Sequence, residues 1–63
     1  MNNKALKIAI IERFDTQHRA AAEFGIRPDR LSRIVTRRVK PSAEEKRIIA
    51  WKLQRSIDEL FGN

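Results

Sequence analysis

The chain has 63 residues, with 14 lysines and arginines against 8 aspartates and glutamates, and a net charge of +6. A chain of this length forms one small domain, so we expect a single domain over residues 1–63 and no separate sensing domain. The absence of cysteine excludes a disulfide and a thiolate metal site and fits the cytoplasm, where we expect the protein. The first apolar stretch is short and is interrupted by Lys7, so we predict neither a membrane span nor a cleaved leader.

The first half of the chain predicts two helices. In the first, over residues 3–14, an inward apolar stripe is formed by Leu6, Ala9 or Ile10, and Phe14. This arrangement leaves Ile8 and Ile11 near the opposite side of the helix. Thr16 is the expected N-cap of the second helix, over residues 17–24.

A glycine separates the second helix from a third, over residues 28–36. Gly25 accepts positive φ without strain, and Ala21, four residues earlier, is small enough for two helices to cross closely. Pro28 suits the first turn of the third helix, where a missing N–H costs nothing. An apolar stripe on this helix faces the second helix and consists of Leu31, Ile34 and Val35. Residues 16–36 therefore predict a helix-turn-helix.

Two capping boxes predict the last two helices. Ser42 and Glu45 open a fourth helix that reaches about residue 53, and Ser56 and Glu59 open a short fifth helix. The inward side of the fourth helix is expected to hold Ile49, Ala50 and Leu53, which leaves Ile48 and Trp51 outward or at the edge. Leu60 and Phe61 return to the core. The predicted fold is all-α, a compact domain of five helices without a strand.

Residues 16–36 resemble the DNA-binding helix-turn-helix of the lambda repressor-like superfamily, which includes phage repressors, Cro/C1-type proteins and Xre-type bacterial regulators. The similarity continues through the basic loop RRVK at 37–40, Pro-Ser at 41–42 and SIDELF at 56–61, so it covers about residues 6–61. It implies a five-helix domain that binds double-stranded DNA through its third helix. Members of the family commonly bind a palindromic operator as homodimers.

The charge is concentrated on the third helix and the loop after it. Residues 27–40 contain six basic side chains and one acidic side chain, which account for +5 of the net +6. The other 49 residues carry 8 basic and 7 acidic side chains and are nearly balanced. A merely soluble surface usually mixes both signs, so this distribution indicates contact with phosphate.

Base readout is expected from polar side chains of the third helix: Asp29, Arg30, Ser32, Arg33 and Thr36. Arg30 and Arg33 are the first candidates, because a guanidinium matches the O6 and N7 atoms of guanine. Asp29 either accepts a hydrogen bond from cytosine or stabilises the start of the helix and orients Arg33; we favour the structural role.

Phosphate contacts are expected from two places in the chain. Thr16 and Gln17 open the second helix, where free backbone N–H groups suit an anion, and Gln17 resembles the family's phosphate-binding glutamine. The other candidates are basic: Arg27, Arg37, Arg38 and Lys40. Arg27 stands where the family has a small polar cap, so we expect the third helix to be less well capped.

The sequence predicts a sequence-specific, repressor-type regulator of transcription in the cytoplasm, associated with the nucleoid, without metal, cofactor or enzymatic activity. It is expected to act as a homodimer and to be controlled by its concentration or by a partner protein. Two alternatives remain: an antitoxin-type or phage modulator that mainly binds another protein, and a nonspecific nucleic-acid-binding domain. Trp51 either covers the core or lies at an interface, and the candidate dimer or partner surface consists of Ile8, Ile11, Ile48 and Trp51.

Overall fold

The computed structural model describes residues 2–62, which contain five helices and no β-strand. The helices are α1 (Lys4–Phe14), α2 (Gln17–Phe24), α3 (Pro28–Val35), α4 (Ala43–Leu53) and α5 (Ile57–Phe61). They form a compact globule with a Cα radius of gyration of 10.0 Å. The all-α fold class is confirmed, and the predicted helix boundaries agree with the observed ones to within one residue. No helix in the described part of the chain is long and apolar enough to cross a membrane.

Polar side chains cap the start of four helices. Each accepts a hydrogen bond from the backbone N–H three residues ahead: Asn3, Thr16, Ser42 and Ser56. Glu45 and Glu59 return a bond to the caps of α4 and α5, which completes both predicted capping boxes. Arg27, before α3, makes no side-chain capping bond to any described residue. This helix relies instead on the fixed φ of Pro28 and on the charge of Asp29.

Three helices end on a residue in the left-handed conformation. These residues are Gly25 after α2 (φ 71°), Arg37 after α3 (φ 63°) and Gln54 after α4 (φ 57°). The N–H of the following residue bonds a carbonyl five residues earlier: Ile26 to Ala21 at 3.0 Å, Arg38 to Arg33 at 2.8 Å, and Arg55 to Ala50 at 3.1 Å. This hydrogen-bond pattern satisfies carbonyls that a helix end would otherwise expose. The turn predicted at the glycine is confirmed.

All five helices contribute to a single core. The buried apolar side chains are Leu6, Ala9, Ile10, Ala20, Ala21, Phe24, Leu31, Ile34, Val35, Ile49, Ala50, Leu53 and Leu60. Phe14 is half-buried and meets Phe24 edge to face, with ring centroids 5.7 Å apart. Ala20 and Ala21 are fully buried, and their small side chains let α2 approach its neighbours closely. The predicted inward faces of α1, α3 and α4 are confirmed.

Asn3 joins the start of α1 to the ends of two other helices, a role the sequence did not predict. Its Oδ1 accepts from the N–H of Leu6 at 3.1 Å, and its Nδ2 donates to the carbonyl of Leu60 in α5 at 2.8 Å. Its backbone N–H donates to the carbonyl of Val35 in α3 at 2.7 Å. The residue is 4% exposed, so it holds three helix ends together away from water.

Candidate nucleic-acid interface

The two sides of α3 differ sharply. Leu31, Ile34 and Val35 are buried, whereas Asp29, Ser32 and Arg33 are exposed. Residues three and four positions apart in a helix are neighbours on its surface, so the exposed side chains form one polar face. We call the face defined by Asp29, Ser32 and Arg33 the α3 face.

Arg30 lies beside the α3 face and is held by Glu45 of α4. Its Nε lies 2.7 Å from Oε2 and its Nη2 lies 2.9 Å from Oε1, a bidentate ion pair. The hydrogen bond from Arg30, helped by one from the backbone N–H of Ser42, lowers the pKa of Glu45 to about 2. The pKa of Arg30 is raised by the same hydrogen bond. One edge of this guanidinium is therefore already occupied within the protein.

Asp29 pairs with the residue before α3. Its Oδ1 lies 3.5 Å from the Nε of Arg27, and both side chains are exposed. The predicted position of Asp29 in the first turn of α3 is confirmed. The ion pair that the structure gives it is with Arg27, not with Arg33 four residues on. An exposed pair of this kind is weak and exchanges readily for other partners, so Arg27 is available to an anion.

A short basic loop continues from the end of α3. Arg37, Arg38 and Lys40 are exposed, and Arg37 is in the left-handed region with φ 63°. A non-glycine residue in this conformation is strained by roughly 1–2 kcal/mol. An arginine therefore occupies a position that the backbone alone would assign to glycine.

The remaining predicted contacts lie at helix ends. Thr16 uses its Oγ1 to accept from the N–H of Arg19 at 3.1 Å, and Gln17 beside it is half-buried. Both open α2, which packs against α3. Thr36 donates its hydroxyl to the carbonyl of Ser32 at 2.9 Å. This bond turns the Thr36 hydroxyl toward the helix backbone and leaves Ser32 and Arg33 as the exposed polar side chains of the last turns.

Apolar side chains are exposed elsewhere, on α1 and α4. Trp51 is 74% exposed, Ile8 is 57% exposed and Ile11 is 45% exposed. The sequence leaves two positions open for Trp51, over the core or at an interface. Its exposure shows that the indole does not cover the core. Arg13 and Trp51 line the same small hollow, which brings the end of α1 close to the indole. Ile48 is half-buried against the core, so it lies at the edge.

No protein-family model, curated protein or solved structure matches the chain. What this site can bind is therefore inferred from its own residues. Among residues 2–62, no group of three His, Cys, Asp or Glu side chains is placed to hold a metal ion. The α3 face offers hydrogen-bond donors and acceptors, and exposed cations lie at both ends of α3. Such a surface complements a groove with negatively charged edges.

The sequence did not predict the partner of Arg30. Glu45 was assigned to a capping box, which is confirmed, but its second role depends on where α4 packs relative to α3. The two residues are 15 positions apart on different helices, so helical periodicity carries no signal for the pair. The capping box fixed the position of the carboxylate along α4, and only the tertiary fold shows what it faces.

Proposed function

We propose that the chain is a sequence-specific, double-stranded-DNA-binding regulator of transcription that inserts the α3 face into a major groove. The observation that carries the proposal is the concentration of positive charge, +5 of the net +6 in residues 27–40, around a helix whose opposite side is buried. A helix fits the width of the major groove, and each base pair presents a distinct pattern of donors and acceptors there.

Arg33 is the principal base-reading residue in this proposal. It is exposed on α3, and a free guanidinium can bond to O6 and N7 of guanine together. The sequence predicts base readout by Arg30 as well, but its Nε and Nη2 bond to Glu45. It therefore supports the orientation of α3 and offers DNA only its remaining N–H groups. Ser32 and Asp29 supply weaker contacts on the same face, and Thr36 a weaker one still.

Phosphate contacts set the position of the domain on the duplex. The basic residues at the two ends of α3 and the start of α2 supply them: Arg27, Arg37, Arg38, Lys40, Thr16 and Gln17. These contacts carry no sequence information but give the affinity its dependence on salt.

The proposed protein acts in the cytoplasm as a homodimer on a palindromic operator, as the resemblance of residues 16–36 to Cro/C1-type and Xre-type helix-turn-helix domains suggests. A single domain of this size makes few base contacts, and two copies double them. Occupation of a promoter then represses transcription. No catalytic step or cofactor is part of the proposal.

A second candidate function is binding to another protein, with DNA contact secondary, as in an antitoxin-type or phage modulator. The 74% exposure of Trp51 favours it, because tryptophan is enriched at protein interfaces. The first candidate depends on the α3 face for DNA contact and the second does not, so Arg33→Ala distinguishes them. The third alternative, nonspecific nucleic-acid binding, uses the same basic residues as the first.

The deciding experiment is a selection of bound sequences from random duplex DNA at near-physiological salt, followed by affinity measurements on the recovered site. The expected product is a palindrome with half-sites about one helical turn apart. Arg33→Ala should lose roughly tenfold or more in discrimination at one base pair of each half-site. Arg47→Ala, at an exposed arginine of α4, is the matched control and should retain the site preference.

Arg30→Ala separates base readout by the α3 face from support of α3 by the neighbouring Arg30. We expect it to weaken binding to all sequences alike, since Arg30 acts through Glu45. Recovery of no enriched sequence, together with salt-sensitive binding, would reject specific readout in favour of nonspecific binding. A uniform loss of affinity for Arg33→Ala with a shallower salt dependence would assign Arg33 to phosphate.

A further inference from the structure

A cleft of about 470 Å³ is lined by the end of α3, the basic loop, Lys46 of α4, Phe61 of α5 and Asn3. Its apolar lining comes from Ile34, Val39, Pro41 and Phe61. Ile34 is buried, and the other three side chains are half-buried. The volume falls within the range of about 300–1,000 Å³ that is typical of small-molecule sites.

Three cationic side chains line the same cleft: Arg37, Lys40 and Lys46. None of the described residues that line it is acidic. The Nζ of Lys46 lies 5.9 Å from the centroid of the Phe61 ring, so a charged group and an aromatic face adjoin. A free phosphate would engage the cations and leave the apolar lining uncovered. An anion with an apolar body would engage both.

We propose that this cleft binds a small organic anion, an aromatic or short aliphatic carboxylate, with its carboxylate toward the cations and its apolar body against Phe61, Ile34 and Val39. The site lies within the same domain as the α3 face, so the regulator needs no separate sensing domain. A bound anion would add a third means of control to the two expected from the sequence, the concentration of the protein and a partner protein.

Occupancy of the cleft lowers the affinity for DNA, a step that rests on the proposed function. Arg37 and Lys40 belong both to the cleft and to the proposed phosphate contacts. A carboxylate bound between them neutralises part of the charge that phosphate would meet. Lys46 belongs only to the cleft, which lets a variant separate the two activities.

The binding test is a titration of the full chain with 1-naphthoate, without DNA and at constant ionic strength, followed by backbone amide NMR. Saturable shifts should cluster at residues 34, 39 and 61. Lys46→Gln should weaken binding about three- to fivefold, as expected for one partly exposed ion pair. Lys52→Gln is the matched control, because Lys52 is also a half-buried lysine of α4 over an aromatic ring, with its Nζ 5.3 Å from the Trp51 centroid.

Two further ligands test the chemistry. The neutral 1-naphthalenemethanol and inorganic phosphate should each bind at least about threefold more weakly than 1-naphthoate, because each lacks one half of the recognition. Equal binding of either ligand, unsaturable shifts over the whole surface, or equal losses in Lys46→Gln and Lys52→Gln would overturn the site.

The coupling test repeats the DNA titration with saturating 1-naphthoate. The affinity of the wild-type chain for its recovered operator should fall about fivefold, and Lys46→Gln should need more naphthoate for the same fall. Unchanged DNA affinity would overturn the coupling and leave the ligand site standing. A chain that binds naphthoate as described but no DNA would reject the proposed function and the coupling together, while the ligand site would remain.

Discussion

At the scale of single residues, some side chains at helix ends are strained by the backbone conformation that the helix end requires. Gly25, Arg37 and Gln54 occupy the same place in the same terminating pattern, and all have positive φ. Only glycine adopts this conformation without strain. A Cβ added at Gly25 would meet no atom within 4 Å, so the preference there is purely conformational. Arg37 and Gln54 have a Cβ, so the same conformation strains their backbone.

Replacement of Arg37 by glycine should therefore stabilise the fold and weaken DNA binding at the same time. We expect the free energy of unfolding in urea to rise by about 1 kcal/mol, because the left-handed strain is relieved. The affinity for DNA should fall and depend less steeply on salt, because one phosphate contact is lost. Gln54→Gly is the control and should gain similar stability with unchanged DNA affinity. If both variants bind DNA like the wild type, Arg37 is not a phosphate contact.

At the scale of elements, Glu45 connects three local structures. It completes the capping box of α4 through the N–H of Ser42 at 2.8 Å, and it holds Arg30 of α3 through two hydrogen bonds. The loop that ends at Ser42 carries the basic residues after α3. One carboxylate therefore both caps the start of α4 and holds α3 in its orientation relative to α4.

This carboxylate predicts a pH dependence of stability. The pKa of Glu45 is lowered from 4.5 to about 2, so its contribution is complete above about pH 4.5 and is lost as the pH falls through about 2. Glu45→Gln retains a cap acceptor but loses the ion pair. Thermal unfolding should show a destabilisation of the variant at pH 6 that shrinks toward pH 2. Arg30→Met should show the same trend, and a constant difference at all pH values would contradict the assignment.

Elements were predictable from the sequence where the signals are local. Thr16, Ser42 and Ser56 cap helices through residues three positions away, and Gly25 supplies its own conformational freedom, so spacing alone predicts both features. The Arg30–Glu45 pair and the bonds of Asn3 to Leu60 and Val35 join distant parts of the chain. These bonds depend on how the helices pack, and residue spacing in a single sequence does not predict which distant residues meet. The same reason explains why the basic-lined cleft was not predicted.

At the scale of the whole molecule, the basic side chains and the exposed apolar side chains are concentrated on different helices. The positive charge gathers around α3, while Trp51, the most exposed large apolar side chain among residues 2–62, lies on α4. Ile8 and Ile11 add exposed apolar surface on α1, and Arg13 in the last turn of α1 lines a hollow with Trp51. An exposed tryptophan suits contact with a second protein molecule. In the proposed regulator that molecule is a second copy.

Trp51→Ala should weaken dimer formation and leave the fold intact. Because most of the side chain is exposed, we expect the free energy of unfolding to change by less than about 0.5 kcal/mol. The dimer dissociation constant, measured by sedimentation equilibrium, should rise roughly tenfold or more. Ile57→Ala, at a less exposed side chain of α5, is the control. A wild-type chain that stays monomeric at all concentrations, on and off DNA, would assign Trp51 to a different protein partner.

The shortness of the helices has a consequence for how long the protein survives in a cell. The longest of the five described helices, α1 and α4, have 11 residues each, and α3 has 8. Isolated helices of this length are marginal in water, so we expect the domain to unfold as one cooperative unit. Every opening exposes the entire chain to proteases, and any molecule that binds only the folded form reduces the frequency of openings. Unoccupied copies would be degraded first, so the cellular level of the protein would follow the number of sites it occupies.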